Sequence, residues 1–287
     1  MKSVAFLLLC PWLVFGHALT KNHVYIYNDF GSDELHVTRM LGHLRDLLDP
    51  SYVVEPITAV AVKEGNWINN AALFVMPGGF DLGFISALGN EGAENIRSYV
   101  RNGGSYLGQG AGSYYACNSI QFDLNGDDEV VGDRPLKFYP GMCSGPVFGP
   151  YSYNDYSSAR AAMINFRYIS PTTGEEEASV DFRAYYNGGN TFNLPMNTSN
   201  TRCGSIASFV ESNDDPAIVK CNTYLGRAVL TSVHLEFGHM HLNSGDPYLA
   251  VVKQSMIEGG DDARIPVYVS ILRHLNMDIA TAVLSAL

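Results

Sequence analysis

The stretch Gly103–Phe122, GGSYLGQGAGSYYACNSIQF, constrains this chain more than any other. A turn at Gly103-Gly104 leads into a short apolar strand, Ser105-Tyr106-Leu107. Three glycines two apart follow, at Gly108, Gly110 and Gly112, and then a helix-like run from Ser113 to Cys117. That spacing suits a sharp strand-to-helix turn, whose central residue is held in a strained conformation and whose flanks would collide if they carried side chains. In hydrolases and acyl-transfer enzymes the tip of such an elbow is the nucleophile. Here the tip is Gly110, which has nothing to attack with.

The elbow sits in a series of strands and helices. His23–Tyr27 is β-rich, and residues 33–48 carry apolar positions at helical spacing until Pro50. Tyr52–Pro56 is a second strand. Ala71–Met76 is a third and is wholly apolar, as for a central parallel strand covered on both faces; it runs into Pro77-Gly78-Gly79. Gly92–Asn102 is expected to be a helix closed by Gly103-Gly104. This alternation predicts a doubly wound, mostly parallel α/β sheet with ligands beyond the carboxyl ends of the strands, where the Gly78-Gly79 loop and the elbow both lie.

The second half changes character. Short aromatic and β-branched runs from Leu136 to Ala184, and again at Ile206–Val210, Ala217–Lys220 and Ala228–Val233, predict additional antiparallel strands. Residues 123–134 are acidic and read as a loop; a calcium loop is rejected because its twelfth position is Arg134. Glu175-Glu176-Glu177 reads as a solvent-facing loop, and residues 266–287 as one apolar-faced helix. No linker or repeat divides the chain, so residues 19–287 are expected to form a single domain.

Residues 1–18 have one lysine, an apolar run from Val4 to Phe15 and small residues at Gly16 and Ala18, the layout of a secretory signal peptide. The run is shorter than the roughly 20 residues a membrane span needs. Four cysteines remain after its removal, Cys117, Cys143, Cys203 and Cys221, and an even number in an oxidising compartment predicts two disulfides. Three pairings are possible. Cys203–Cys221 is favoured because these residues flank two neighbouring strands, which leaves Cys117–Cys143; four buried free thiols are the alternative. Asn197-Thr198-Ser199 is a glycosylation sequon. With 16% charged residues, a formal charge of −11 and no basic run, the composition argues against nucleic-acid or anionic-membrane partners.

The late strand ending at Val233 delivers His234-Leu235-Glu236. A carboxylate two residues from a histidine at a strand end can orient the imidazole as a base. His239 and His241 stand near enough in sequence to suggest a metal site, but a satisfied or exposed histidine cluster is the commoner arrangement, and no metal or cofactor is expected. The paired glycines fit neither dinucleotide nor P-loop spacing and read as turns. The tyrosines at 114, 115, 185 and 186 read as aromatic core before pocket lining.

Together, Met76-Pro77-Gly78-Gly79, the Gly103–Gly112 elbow, Phe138-Tyr139-Pro140-Gly141, Gly145-Pro146, Tyr186-Asn187-Gly188-Gly189, Gly226–Leu230 and His234-x-Glu236 resemble the glutamine-amidotransferase-like domain at the N-terminus of eukaryotic-type biotin–protein ligases. The resemblance covers roughly residues 23–240. It implies a flavodoxin-like fold related to class I glutamine amidotransferases. It also implies an elbow of Gly-x-Cys-x-Gly, with His234 and Glu236 as the partners of that cysteine and the amides of Gly79 and Ala111 as an oxyanion hole. Gly110 stands where the cysteine would be. Losing a triad nucleophile lowers rates by orders of magnitude, and Ser113, a turn further on, cannot take its place. Cys117 is expected to be buried or bridged. No ligase catalytic motif is read in the chain, so biotin transfer is not expected.

The expectation is therefore a secreted, non-catalytic amidotransferase-like protein. Its pocket for a small molecule or peptide would lie between Gly78, Gly79, Gly110, Ala111, Ser113, Asn187, His234 and Glu236. The alternatives are a hydrolase in which His234 and Glu236 activate water, and a purely structural or interaction module.

Overall fold

In a computed structural model describing residues 21–170, 173, 175–193 and 197–287, the first half alternates strand and helix. It runs β1 (His23–Tyr27), α1 (Glu34–Leu47), β2 (Val53–Ile57), α2 (Ala59–Glu64), β3 (Ala71–Met76), α3 (Asp81–Arg101), β4 (Ser105–Gln109) and α4 (Ala111–Tyr115). Then come β5 (Cys117–Phe122), β6 (Val130–Asp133), β7 (Tyr139–Gly145), β8 (Arg160–Ile169), β9 (Glu176–Tyr186), β10 (Thr191–Phe192), β11 (Thr201–Phe209), β12 (Asp215–Thr223) and β13 (Gly226–Thr231). The chain ends with α5 (Pro247–Glu258), α6 (Arg264–His274) and α7 (Thr281–Leu284). The proposed signal segment lies outside the described residues.

Nine strands form the main sheet in the order β2-β1-β3-β4-β13-β12-β11-β8-β9. The pairs from β2 to β13 are parallel, and those from β13 to β9 are antiparallel. This is the mixed α/β architecture expected from the sequence. The parallel strands alternate their side chains between two cores. Val24, Ile26, Leu73, Val75, Leu107 and Val229 pack on one face; Tyr25, Tyr27, Phe74, Met76, Tyr106 and Leu230 pack on the other. Strands buried on both sides have no polar face to spare, which is why Ala71–Met76 is apolar throughout. A second sheet, in the order β10-β7-β5-β6, lies beside the elbow.

Some local expectations need correction. The helix before the elbow starts at Asp81 rather than Gly92, and at Gly89 it kinks through φ 56° and ψ −160°. Gly83 lies in its first turns because a Cβ there would stand 2.4 Å from Gly31 Cα; close packing put a glycine where a helix start would not be read. The acidic stretch 123–134 is only partly loop, since β6 pairs with β5. Two of its carboxylates accept from local amides: Glu129 from the Asn125 amide at 2.6 Å, and Asp123 from the Asp128 amide at 3.0 Å. Glu176 and Glu177 open β9 instead of lying in a loop, with exposed side chains. The C-terminal region is not one helix from 266. α6 ends at His274, and Asn276 takes φ 60°, which terminates it. α5, capped by the Asp246 side chain with Pro247 in the first turn, was not anticipated.

Both disulfides form with the favoured pairing, Cys117–Cys143 and Cys203–Cys221. The second joins residues directly opposite in the β11–β12 ladder. Cys117 opens a strand instead of extending the elbow helix. No helix among the described residues is long and apolar enough to cross a membrane.

Candidate functional site

The carboxyl ends of β1, β3, β4 and β13 converge on one cavity of about 570 Å³. Its floor is the elbow. Gly110 takes φ 53° and ψ −113°, a region that side chains rarely enter. The Gly110 amide donates to the Thr231 carbonyl at 3.0 Å, which pins the tip to the end of β13. The flanking glycines are there for close approach: a Cβ on Gly112 would lie 2.1 Å from the Met76 carbonyl oxygen, and one on Gly108 2.5 Å from the Gly112 carbonyl oxygen. The elbow thus has the geometry expected from its glycine spacing.

His234 follows β13 and is held by its amide, which donates to the Tyr185 carbonyl at 2.8 Å. Its Nδ1 lies 3.0 Å from Glu236 Oε1. The carboxylate accepts two further bonds, from His36 Nδ1 at 2.8 Å and from Gln109 Nε2 at 2.6 Å. Tyr268 completes the chain by donating to Gln109 Oε1 at 3.3 Å. Arg264 donates to the Leu235 carbonyl at 2.8 Å and so fixes the backbone between histidine and glutamate. Burial raises the Glu236 pKa, but the His234 charge and the hydrogen bonds from His234 and His36 outweigh it and hold the carboxyl below the usual range. Burial lowers the His234 pKa, only partly opposed by Glu236. The pair is best described as a carboxylate beside a neutral imidazole. Because a carboxylate only accepts, Nδ1 carries the ring hydrogen.

One contact sets this site apart from a working triad. A Cβ built on Gly110 would stand 2.8 Å from His234 Cε1 and 3.1 Å from His234 Nε2. The imidazole lies over the space where a nucleophile's first carbon would stand. Gly78 is similarly close to His36, whose Nδ1 would be 2.8 Å from a Cβ there.

Gly79, Gly110, Ala111, Asn187 and His234 line the cavity. Gly79 has φ 142° and presses against the Gly31 carbonyl. Asn187 accepts from Ser158 Oγ at 2.8 Å. Glu236 is wholly buried behind His234. Gly78 is outside the lining, though a Cβ built on Gly110 would lie 3.7 Å from its Cα. Ser113 also departs from expectation. It is fully buried, and its hydroxyl turns away to Asn190 Oδ1 at 3.1 Å, because the elbow helix directs that position into the protein. Asn197 is exposed, and its side-chain oxygen accepts from the Cys203 amide at 3.1 Å.

His36 is the functional residue that sequence reasoning missed. It sits on α1, 200 residues from Glu236, and nothing local distinguishes it from an ordinary helix histidine. His36, His234 and Glu236 offer ligand atoms within 4.8 Å of one another. His239 and His241, weighed in the sequence for a metal site, stand outside that group. His239 pairs with Asp261 at 2.7 Å, and His241 Nδ1 accepts from the Gly238 amide at 3.0 Å. The other missed contributors are Tyr151, Tyr153 and Asp155, from the loop between β7 and β8, which closes one side of the cavity.

A biotin–protein ligase of Schizosaccharomyces pombe is 32% identical over 216 residues, covering 75% of this chain and 33% of that protein. The chain thus spans about a third of the ligase's length. An uncharacterized protein of Chlamydia muridarum is 28% identical over 230 residues, covering 76% of this chain and 82% of its own length. Among solved structures, a glutamine amidotransferase from Thermotoga maritima superposes with a TM-score of 0.51 at 12% identity, covering 89% of this chain and 98% of that one; this is a likeness of fold. With residues 22–286 matched to it, the chain belongs to the family described as Biotin-protein ligase, N terminal.

Proposed function

We propose that this chain is a secreted, non-catalytic member of its family whose amidotransferase-type cavity binds a small molecule or peptide. The observation that carries the reading is the elbow tip: Gly110 supplies no nucleophile, and the His234 ring stands 2.8 Å from where a Cβ would be. An acyl-transfer cycle needs a covalent attachment point at that tip, and the side chains around it offer none. Ser113 is turned away, and Cys117 and Cys143 are bridged to each other. The cavity also has no lysine or arginine in its lining among the described residues, so it lacks the usual partner for an amino acid's carboxylate. Secretion is supported by the two disulfides, which persist in oxidising compartments. Biotin transfer is not carried over, because the likeness to the ligase spans a third of that protein.

The test is to assay the mature protein against glutamine and simple amide and ester substrates. No turnover is expected. Turnover that disappears in His234→Ala overturns the reading. The second reading, water activated at His234 and Glu236 beside a metal, draws on the closeness of His36 to that pair. It predicts a stoichiometric metal and a bell-shaped pH–rate profile.

A further inference from the structure

The cavity is one-sided in its chemistry. Its acidic residues are Asp33, Asp81 and Asp155. Asp81 is paired with Arg134. Asp33 uses Oδ1 to accept from the Leu35 and His36 amides, and Asp155 uses Oδ1 to accept from the Ser157 amide at 2.9 Å. Each of these two has a second oxygen outside those bonds. Of the three histidines in the wall, His36 and His234 turn Nδ1 to the same carboxylate, whereas His241 Nδ1 accepts from the Gly238 amide. Nδ1 of both His36 and His234 faces Glu236 Oε1, and the neutral His234 ring leaves its Nε2 as an acceptor.

Opposite the histidines, three aromatic rings form a corner. The Tyr151 and Tyr153 ring centroids are 4.7 Å apart at 88°, and those of Phe122 and Tyr151 are 5.2 Å apart at 76°. Phe122 and Tyr153 close the set at 6.2 Å. All three residues line the cavity. Aromatic faces attract cations, the His234 Nε2 and carboxylate oxygens accept hydrogen bonds, and the lining holds no lysine or arginine among the described residues. An anionic ligand would meet three carboxylates and no lysine or arginine in the lining among the described residues.

We propose that the cavity receives a small organic cation, an ammonium head on an apolar body, with the head seated at the Phe122–Tyr151–Tyr153 corner of the cavity that Asp155 also lines. This deepens the binding reading above and rests on it. The chemistry asks for a ligand that carries its positive charge at neutral pH and buries a compact apolar body against Leu249, Phe237 and Ile120.

The experiment compares three probes of one shape by isothermal titration of the mature protein at pH 7. They are 4-(trimethylammonio)phenol, the uncharged 4-tert-butylphenol and the anionic 4-hydroxybenzenesulfonate. The cation is expected to bind about tenfold more tightly than the uncharged probe, as for a partly desolvated ammonium on aromatic faces. The sulfonate is expected not to bind. Tyr153→Leu and Asp155→Asn should each weaken the cation several-fold and the uncharged probe much less. Tyr153 is 52% exposed and Asp155 is exposed, so neither change removes core. Equal or tighter binding of the uncharged or anionic probe overturns the cation inference and leaves the binding function standing. Unchanged cation affinity in both variants overturns the assigned corner and with it the proposal. Failure of all three probes counts against this inference and the binding function together.

Discussion

Replacing Gly110 with alanine adds one methyl group to the elbow tip, and the structure says what that group must displace. The backbone there sits at φ 53° and ψ −113°, where a side chain costs about 1–3 kcal/mol. The new carbon would lie 2.8 Å from His234 Cε1 and 3.1 Å from Nε2, so the ring has to retreat. Retreat loosens the 3.0 Å bond from Nδ1 to Glu236, and a hydrogen bond to a charged group contributes about 1.5–3 kcal/mol. Glu236 keeps its bonds from His36 and Gln109, which places this second effect at the low end of its range. The sum is about 2.5–4.5 kcal/mol, or a fall in melting midpoint of roughly 5–18 °C for a chain of this size. Calorimetry on the parent, Gly110→Ala, His234→Ala and the double variant checks it. Once the ring is gone only the backbone contribution remains, so Gly110→Ala should cost less in the His234→Ala background. If the two effects simply add, the ring does not bear on the tip and the reasoning fails. Gly110→Cys should meet the same obstruction and should not turn over glutamine.

Acid should destabilise this protein in a window set by its buried histidines. Burial, reinforced by Arg264, lowers the His43 pKa from 6.5 to about 3. The unfolded chain therefore binds a proton between those values that the folded chain refuses. Stability is full above pH 6.5 and falls toward pH 3 by up to about 1.4 kcal/mol per unit from this one group. His43→Phe, which keeps a ring against Tyr268, should flatten the slope of melting midpoint against pH. The depressed Glu236 carboxyl adds a loss of the same sign below the ordinary carboxylate range, and Glu236→Gln should remove it. Removing Cys203–Cys221, which closes an 18-residue separation, should cost about 3 kcal/mol by the loop-entropy estimate; an unchanged midpoint after Cys203→Ser with Cys221→Ser would contradict it. Asp81→Ala strands Arg134, which is 3% exposed, and should cost about 3–5 kcal/mol by urea unfolding. A loss below 1 kcal/mol, on the scale of a surface pair, would mean that Arg134 finds another partner.

The sequence alone determined what short-range rules govern. Ala71–Met76 could only be a doubly covered strand, because six apolar residues leave no face for water. The glycines at 108, 110 and 112 specified a strained elbow, since strain and close approach act within a few residues. His234 and Glu236 were visible as a pair because they stand two positions apart at the end of a strand. Tertiary structure alone decided the rest. It brought His36 across 200 residues to the same carboxylate, turned Ser113 to Asn190, and set Tyr151, Tyr153 and Asp155 against the opposite wall. None of these has a local signature. A lone histidine on a helix and a tyrosine in a loop look the same whether or not a sheet crossover later carries them to a cavity. The decisive contact, the imidazole lying over an empty elbow tip, joins residues 124 positions apart, and periodicity and spacing carry no information at that range.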